Sequence, residues 1–115
     1  MEDKKLFMNT YTGLVFNPLE MVPDNVAIED IAHALSMMCR GNGHLRFFYS
    51  VGLHSINCAQ EAIARGYQTG TVLACLLHDA TEAYIADLIR PVKNQLPEYE
   101  IMENNLFEVI KEKFF

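Results

Sequence analysis

Apolar residues recur every three to four positions along most of the chain, and each such stretch predicts a helix. Between residues 28 and 39 the positions Ile28, Ile31, Ala32, Leu35 and Met38 keep the 3.6-residue period, with Gly41 and Gly43 expected to stop the helix. Ser50 can cap a second helix running to Arg65, whose stripe is Val51, Cys58, Ala62 and the stem of Arg65, with Gly66 as terminator. Residues 71–84 are apolar on nearly every side through Val72, Leu73, Ala74, Cys75, Leu76 and Leu77, as in a central buried helix. Pro97 suits the first position of a last helix striped by Tyr99, Met102, Leu106, Val109 or Ile110, and Lys113 or Phe114. Ahead of the helices, residues 8–17 mix β-branched and aromatic residues around Thr12-Gly13, which predicts a short hairpin or extended arm. The expected class is all-α.

That last helix reaches Phe114 and Phe115 without Gly, Asn or Pro to stop it, so residues 1–115 read as one domain cut at its C-terminal end. The length of 115 residues suits a single core that buries about two thirds of the unfolded surface. Half the residues are apolar and 21% are charged, which excludes a disordered or collagen-like chain. A net charge of −6 argues against a nucleic-acid polymer as partner, though a local basic pocket can still hold one small phosphate. The longest apolar run, residues 72–77, is too short to span a bilayer, and Met1 to Lys5 do not resemble a signal peptide. A cytoplasmic protein with no membrane partner is expected. Cys39, Cys58 and Cys75 are odd in number and lack CxxC spacing, so they read as buried reduced thiols, neither disulfides nor zinc ligands.

Chemistry concentrates in Leu77-His78-Asp79-Ala80-Thr81-Glu82, where three polar groups end an apolar helix. Adjacent helical residues project about 100° apart, so one cation above the helix can take the His78 imidazole and the Asp79 carboxylate together. Glu82 follows His78 by four residues and can orient a water or carry a proton. Read alone, such a His-Asp pair is equally a hydrogen-bonded surface feature. His54 offers a second imidazole from the preceding helix, although by itself it reads as a satisfied core histidine. Cys58, one turn beyond it, is not read as a nucleophile because no orienting partner is evident.

The segments Phe48-Tyr49-Ser50-Val51-Gly52-Leu53-His54-Ser55 and residues 77–93, from Leu77-His78-Asp79-Ala80-Thr81-Glu82 through Asp87 to Lys93, resemble the first histidine block and the His-Asp block of the HD-domain metal-dependent phosphohydrolases. The branch resembled is that of bacterial and phage hydrolases related to 5′-deoxynucleotidase, and the likeness extends over most of residues 10–110. The resemblance implies an HD-domain-like helical bundle that holds a divalent cation through His54, His78 and Asp79, with Glu82 and Asp87 assisting hydrolysis. It implies manganese, cobalt, nickel, iron, zinc or magnesium, and attack of water on the phosphorus of a nucleoside monophosphate or similar small phosphate ester. Arg46 matches a phosphate-holding position, and His44 in the Gly-Asn-Gly-His loop can approach the substrate, though each also reads as an exposed loop residue. Arg90 and Lys93 can lend positive charge to the same site or stand as a solvated pair, and His33 reads as structural.

One departure stands out. The family's fourth ligand is a distant aspartate, and no aspartate follows Asp87 within these residues. Two other readings therefore stay open beside the hydrolase: a nucleotide pyrophosphohydrolase or alarmone hydrolase on the same fold, and a non-catalytic module that binds a nucleotide or another protein. By analogy with such folds a homodimer is possible.

Overall fold

A computed structural model describes residues 6–115, of which the helices dominate: 64% helix against 5% strand. The chain opens with a hairpin, as the Thr12-Gly13 turn predicts. Strand β1 (Met8–Asn9) pairs antiparallel with β2 (Val15–Phe16), Met8 opposite Phe16. Gly13 takes φ +91°, a left-handed conformation that a side chain would strain. The hairpin is tied to the helices from its turn: Asp30 accepts hydrogen bonds from the Thr12 amide (2.8 Å) and the Thr12 hydroxyl (3.0 Å). Tyr11 stacks on His33 with ring centroids 3.7 Å apart, so His33 is structural, as its sequence context suggests. Two short 3-10 turns, Pro18–Glu20 and Pro23–Asn25, carry the chain around to the first helix.

Helix α1 (Ile28–Met37) buries Asp30, Ile31 and Leu35. It ends two residues before the predicted stop, and Gly41 and Gly43 do not end it. Met38 to Arg40 turn extended because they pair with the segment entering the next helix: the Val51 amide donates to the Met38 carbonyl at 2.8 Å and the Arg40 amide to the Tyr49 carbonyl at 2.9 Å. Beyond the Arg40–Tyr49 pair the loop bulges outward through left-handed Gly41, Asn42 and Gly43. Helix α2 (Val51–Ala64) starts where expected, with the Ser50 hydroxyl accepting from the Leu53 amide at 2.9 Å, and Gly66 follows it at φ +79°. Its buried stripe is Val51, Ser55, Ala59 and Ala62, which leaves Cys58 off the core face and half-buried. Gly52 permits the contact with α1, since a Cβ there would lie 3.2 Å from the Ser36 nitrogen.

The predicted helix over residues 71–84 is two helices. Helix α3 (Thr69–Leu77) stops at Leu77, a tight turn follows in which the Ala80 amide donates to the Leu77 carbonyl, and α4 (Glu82–Ile85) resumes. Nor is α3 a central buried helix. Val72 to Leu76 are half-buried, and the buried positions are instead Leu77, Ala80, Thr81 and Tyr84 around the break. Ala86 leaves α4 at φ 71° and ψ 170°, and its carbonyl accepts a hydrogen bond from the Tyr99 hydroxyl. A short α5 (Arg90–Lys93) and the long α6 (Pro97–Phe114) complete the chain, the latter burying Tyr99, Leu106 and Ile110 much as its stripe predicts. Leu106 and Ile110 join Phe16, Val26, Ile31, Leu35 and Val51 in one core. Among the described residues no helix is long and apolar enough to cross a membrane.

The Asp30 tether generates a test of the hairpin's place in the fold. Replacing a buried acceptor leaves its two donors to find water, so Asp30→Ala is expected to lower the unfolding free energy by about 2 kcal/mol in urea denaturation. A loss below about half a kcal/mol would show that the hairpin is held by its apolar contacts alone.

Candidate metal centre

The helix break after Leu77 is what assembles the site. It ends α3 against the middle of α2, so that His78 and Asp79 leave the helix facing His54 and Cys58, which lie one helical turn apart. Asp79 Oδ2 sits 3.1 Å from His78 Nε2 and 3.7 Å from His54 Nε2. The two imidazoles meet edge to face with centroids 5.2 Å apart. Cys58 Sγ lies 3.6 Å from His54 Nε2, and one donor atom from each of His54, Cys58 and His78 falls within 4.8 Å of the others. The structure thus brings together His54, His78 and Asp79, the trio singled out in the sequence.

The hydrogen bonds decide which nitrogens face the centre. His78 Nδ1 points at the Cys75 carbonyl at 2.6 Å, and only a protonated nitrogen can bond there, which leaves Nε2 on the Asp79 side. A carbonyl bonded behind the ring in this way would hold it in place for a metal at Nε2. His54 Nδ1 lies 3.1 Å from Arg40 Nη1, and a guanidinium can only donate, so this nitrogen accepts and the ring proton sits on Nε2; a cation held at Nε2 requires that proton to move to Nδ1 and Arg40 to release the ring. The charges agree. The Asp79 hydrogen bond raises the His78 pKa, against the effect of burial. Burial and then the Arg40 charge lower that of His54, with Asp79 opposing them. Asp79 itself stays below the usual carboxylate range: burial pushes it up, but hydrogen bonds from His78 and Glu82 and the nearby imidazoles outweigh that. Glu82 goes the other way, to about 9, through burial, its hydrogen bond to Asp79 and the charges of Asp79, Asp87 and Glu103. Its Oε1 is buried without a partner.

Beside the donors opens a cleft of about 300 Å³ lined by the acids Asp79, Glu82 and Asp87 and by the cations Arg40, Arg90 and Lys93. Lys93 is partly neutralised by Glu103 at 2.6 Å. Roomier cavities of about 390 and 400 Å³ lie under the hairpin and between α1 and α2, but neither gathers so many convergent charges. Arg90 and Lys93 therefore stand at the site and are not a merely solvated pair.

Two expectations need correction. Arg46 and His44 do not line the cleft. Both are exposed on the outward bulge of the loop, and the loop's cation at the site is Arg40, held at the base by its backbone bond to Tyr49. Cys58 is not a core thiol either. All three cysteines are free, as expected, but each is half-buried, and Cys58 faces the imidazoles. Its spacing of four from His54 was the available signal. Two imidazoles and a thiol lie within mutual ligand range with the Asp79 carboxylate beside the imidazoles, and these donors suit a divalent transition metal such as the sequence implies.

No protein-family model matches the chain. It is 40% identical over 108 residues to the uncharacterized protein YfdR of Escherichia coli, an alignment covering 94% of this chain and 58% of that protein. It is 38% identical over 95 residues to an uncharacterized protein of Rhodobacter capsulatus, covering 78% of this chain and 48% of the relative. The chain spans about half the length of the curated relatives it matches.

Glu82 makes the electrostatics testable in the metal-free protein. An unfolded glutamate ionises near 4.5, whereas the folded one keeps its proton to about 9. A raised folded pKa means that this group's contribution to stability is present below the unfolded value and lost as pH rises toward the folded one. Glu82→Gln is therefore expected to match wild type in urea denaturation at about pH 4 and to be the more stable at about pH 8. Parallel pH profiles for the two proteins would show that Glu82 ionises as an ordinary surface carboxylate.

Proposed function

We propose that this chain is an HD-domain-type phosphohydrolase that uses a divalent metal to hydrolyse a nucleoside monophosphate or a similar small phosphate ester. The observation that carries the reading is the convergence of His54, His78 and Asp79 from two helices beside a cleft that holds both acids and cations. The same three residues match the family's motif, and the all-α fold suits an HD-domain-like bundle. The three free thiols suit the reducing cytoplasm.

In this reading His54, His78 and Asp79 hold the cation. When bound, the metal supplies Lewis acidity to a phosphoryl oxygen and acidifies water. Arg40 offers the planar fork that suits a phosphate oxygen pair, a role the sequence resemblance gives to Arg46. Arg90 and Lys93 add positive charge in the same cleft. Glu82, which holds a proton near neutral pH, and Asp87, which lines the same cleft, are the groups that exchange protons with substrate and solvent.

Purified protein is expected to carry about one transition metal per chain by elemental mass spectrometry, and His78→Ala to lose it. Phosphate release from nucleoside monophosphates should fall at least about 100-fold in His78→Ala and Asp79→Ala, while Arg40→Ala raises KM about tenfold. Pyrophosphate as the product would move the assignment to a nucleotide pyrophosphohydrolase or alarmone hydrolase. Full phosphate release in both metal-ligand variants would overturn the hydrolase reading, and bound nucleotide without turnover would make the chain a binding module.

A further inference from the structure

We infer that Cys58 is itself a ligand, so that the centre is a four-donor site of two imidazoles, one carboxylate and one thiolate that favours zinc-like cations over magnesium. This inference rests on the metal reading of the same site and goes beyond the His and His-Asp pattern that motivates it.

The argument starts from where Cys58 is not. The core stripe of α2 runs through Val51, Ser55, Ala59 and Ala62, and a cysteine serving only as a small apolar residue would sit among them. Cys58 instead shares a face with His54, four residues earlier, a spacing that puts two side chains of one helix on a single centre. Its sulfur is 3.6 Å from His54 Nε2 and 3.8 Å from Nδ1, and it falls within ligand range of the His78 ring that α3 brings up from the other side. Asp79, whose Oδ2 is shared between the two imidazoles, completes the set.

Charge balance suits the same arrangement. As the sulfur–metal bond forms, the S–H proton leaves to solvent and no electron changes hands. Two anionic ligands then neutralise the dication in a partly buried site. Magnesium prefers six oxygen donors, whereas zinc and cobalt accept nitrogen and sulfur in a four-coordinate set.

Cobalt(II) provides the readout, because a thiolate ligand adds a sulfur-to-metal charge-transfer band to the visible ligand-field bands. Metal-free protein titrated with cobalt chloride is expected to show both. In Cys58→Ser and Cys58→Ala the charge-transfer band disappears while the visible bands remain, and in Cys39→Ser neither changes. Zinc should bind the Cys58 variants at least about tenfold more weakly. As a measurement on the unaltered chain, zinc is expected to block alkylation of Cys58 and to leave Cys39 reactive. Cobalt bound without the charge-transfer band, with Cys58 still alkylated in the presence of zinc, would overturn the inference and leave the His54, His78 and Asp79 site standing. No cobalt bound at all would overturn both.

Discussion

A carboxylate with only about a fifth of its side chain exposed must be compensated, and the arrangement around Asp79 follows from that need. Two imidazoles reach it from different helices, a protonated Glu82 leans on it from α4, and Arg40 steadies the far side of His54. Each partner is delivered by a separate piece of backbone, so the cluster exists only when the helices are packed. Gly52 lets α1 and α2 close, the break after Leu77 turns the end of α3 toward α2, and the paired strands around residues 38–51 bring Arg40 to the same point. Fold and site are therefore one constraint seen at two scales.

The groups of this cluster are shifted in different directions by their neighbours. The Asp79 carboxyl is held below its usual range and the His78 imidazole bonded to it above its own. Burial and Arg40 push the His54 imidazole down, and burial pushes the Glu82 carboxyl up to about 9. Replacing the exchangeable protons of this group by a single dication would remove like-charge conflicts that the protons now mask. Such a cluster resists simple classification as a salt bridge, because its members differ in protonation for reasons that only their shared neighbours explain.

What could be read from the chain was whatever a local period or a local cap decides. The Ser50 cap, the Pro97 start, the hairpin turn at Gly13 and the core stripe of α6 all depend on residues within a few positions of one another. The trio of His54, His78 and Asp79 was legible because its chemistry is conspicuous on otherwise apolar helices. The misses share a different cause. The stop after Leu77 comes without a Gly or Pro to signal it, and Arg40 rather than Arg46 is brought to the cleft by a backbone pairing eight or more residues away. Cys58 was misplaced by assuming that an apolar type must lie on the apolar stripe, when its position is set by one step of the helical turn.

The exit from α4 links the cleft to the far side of the molecule. Ala86 holds a backbone conformation that is essentially reserved for glycine and costs on the order of 1–3 kcal/mol, and its carbonyl is secured by the Tyr99 hydroxyl in the first turn of α6. Asp87 is the next residue. Its place beside the cleft is thus set in part by a contact with another helix, and the Lys93–Glu103 ion pair ties the same cleft to α6 a second time.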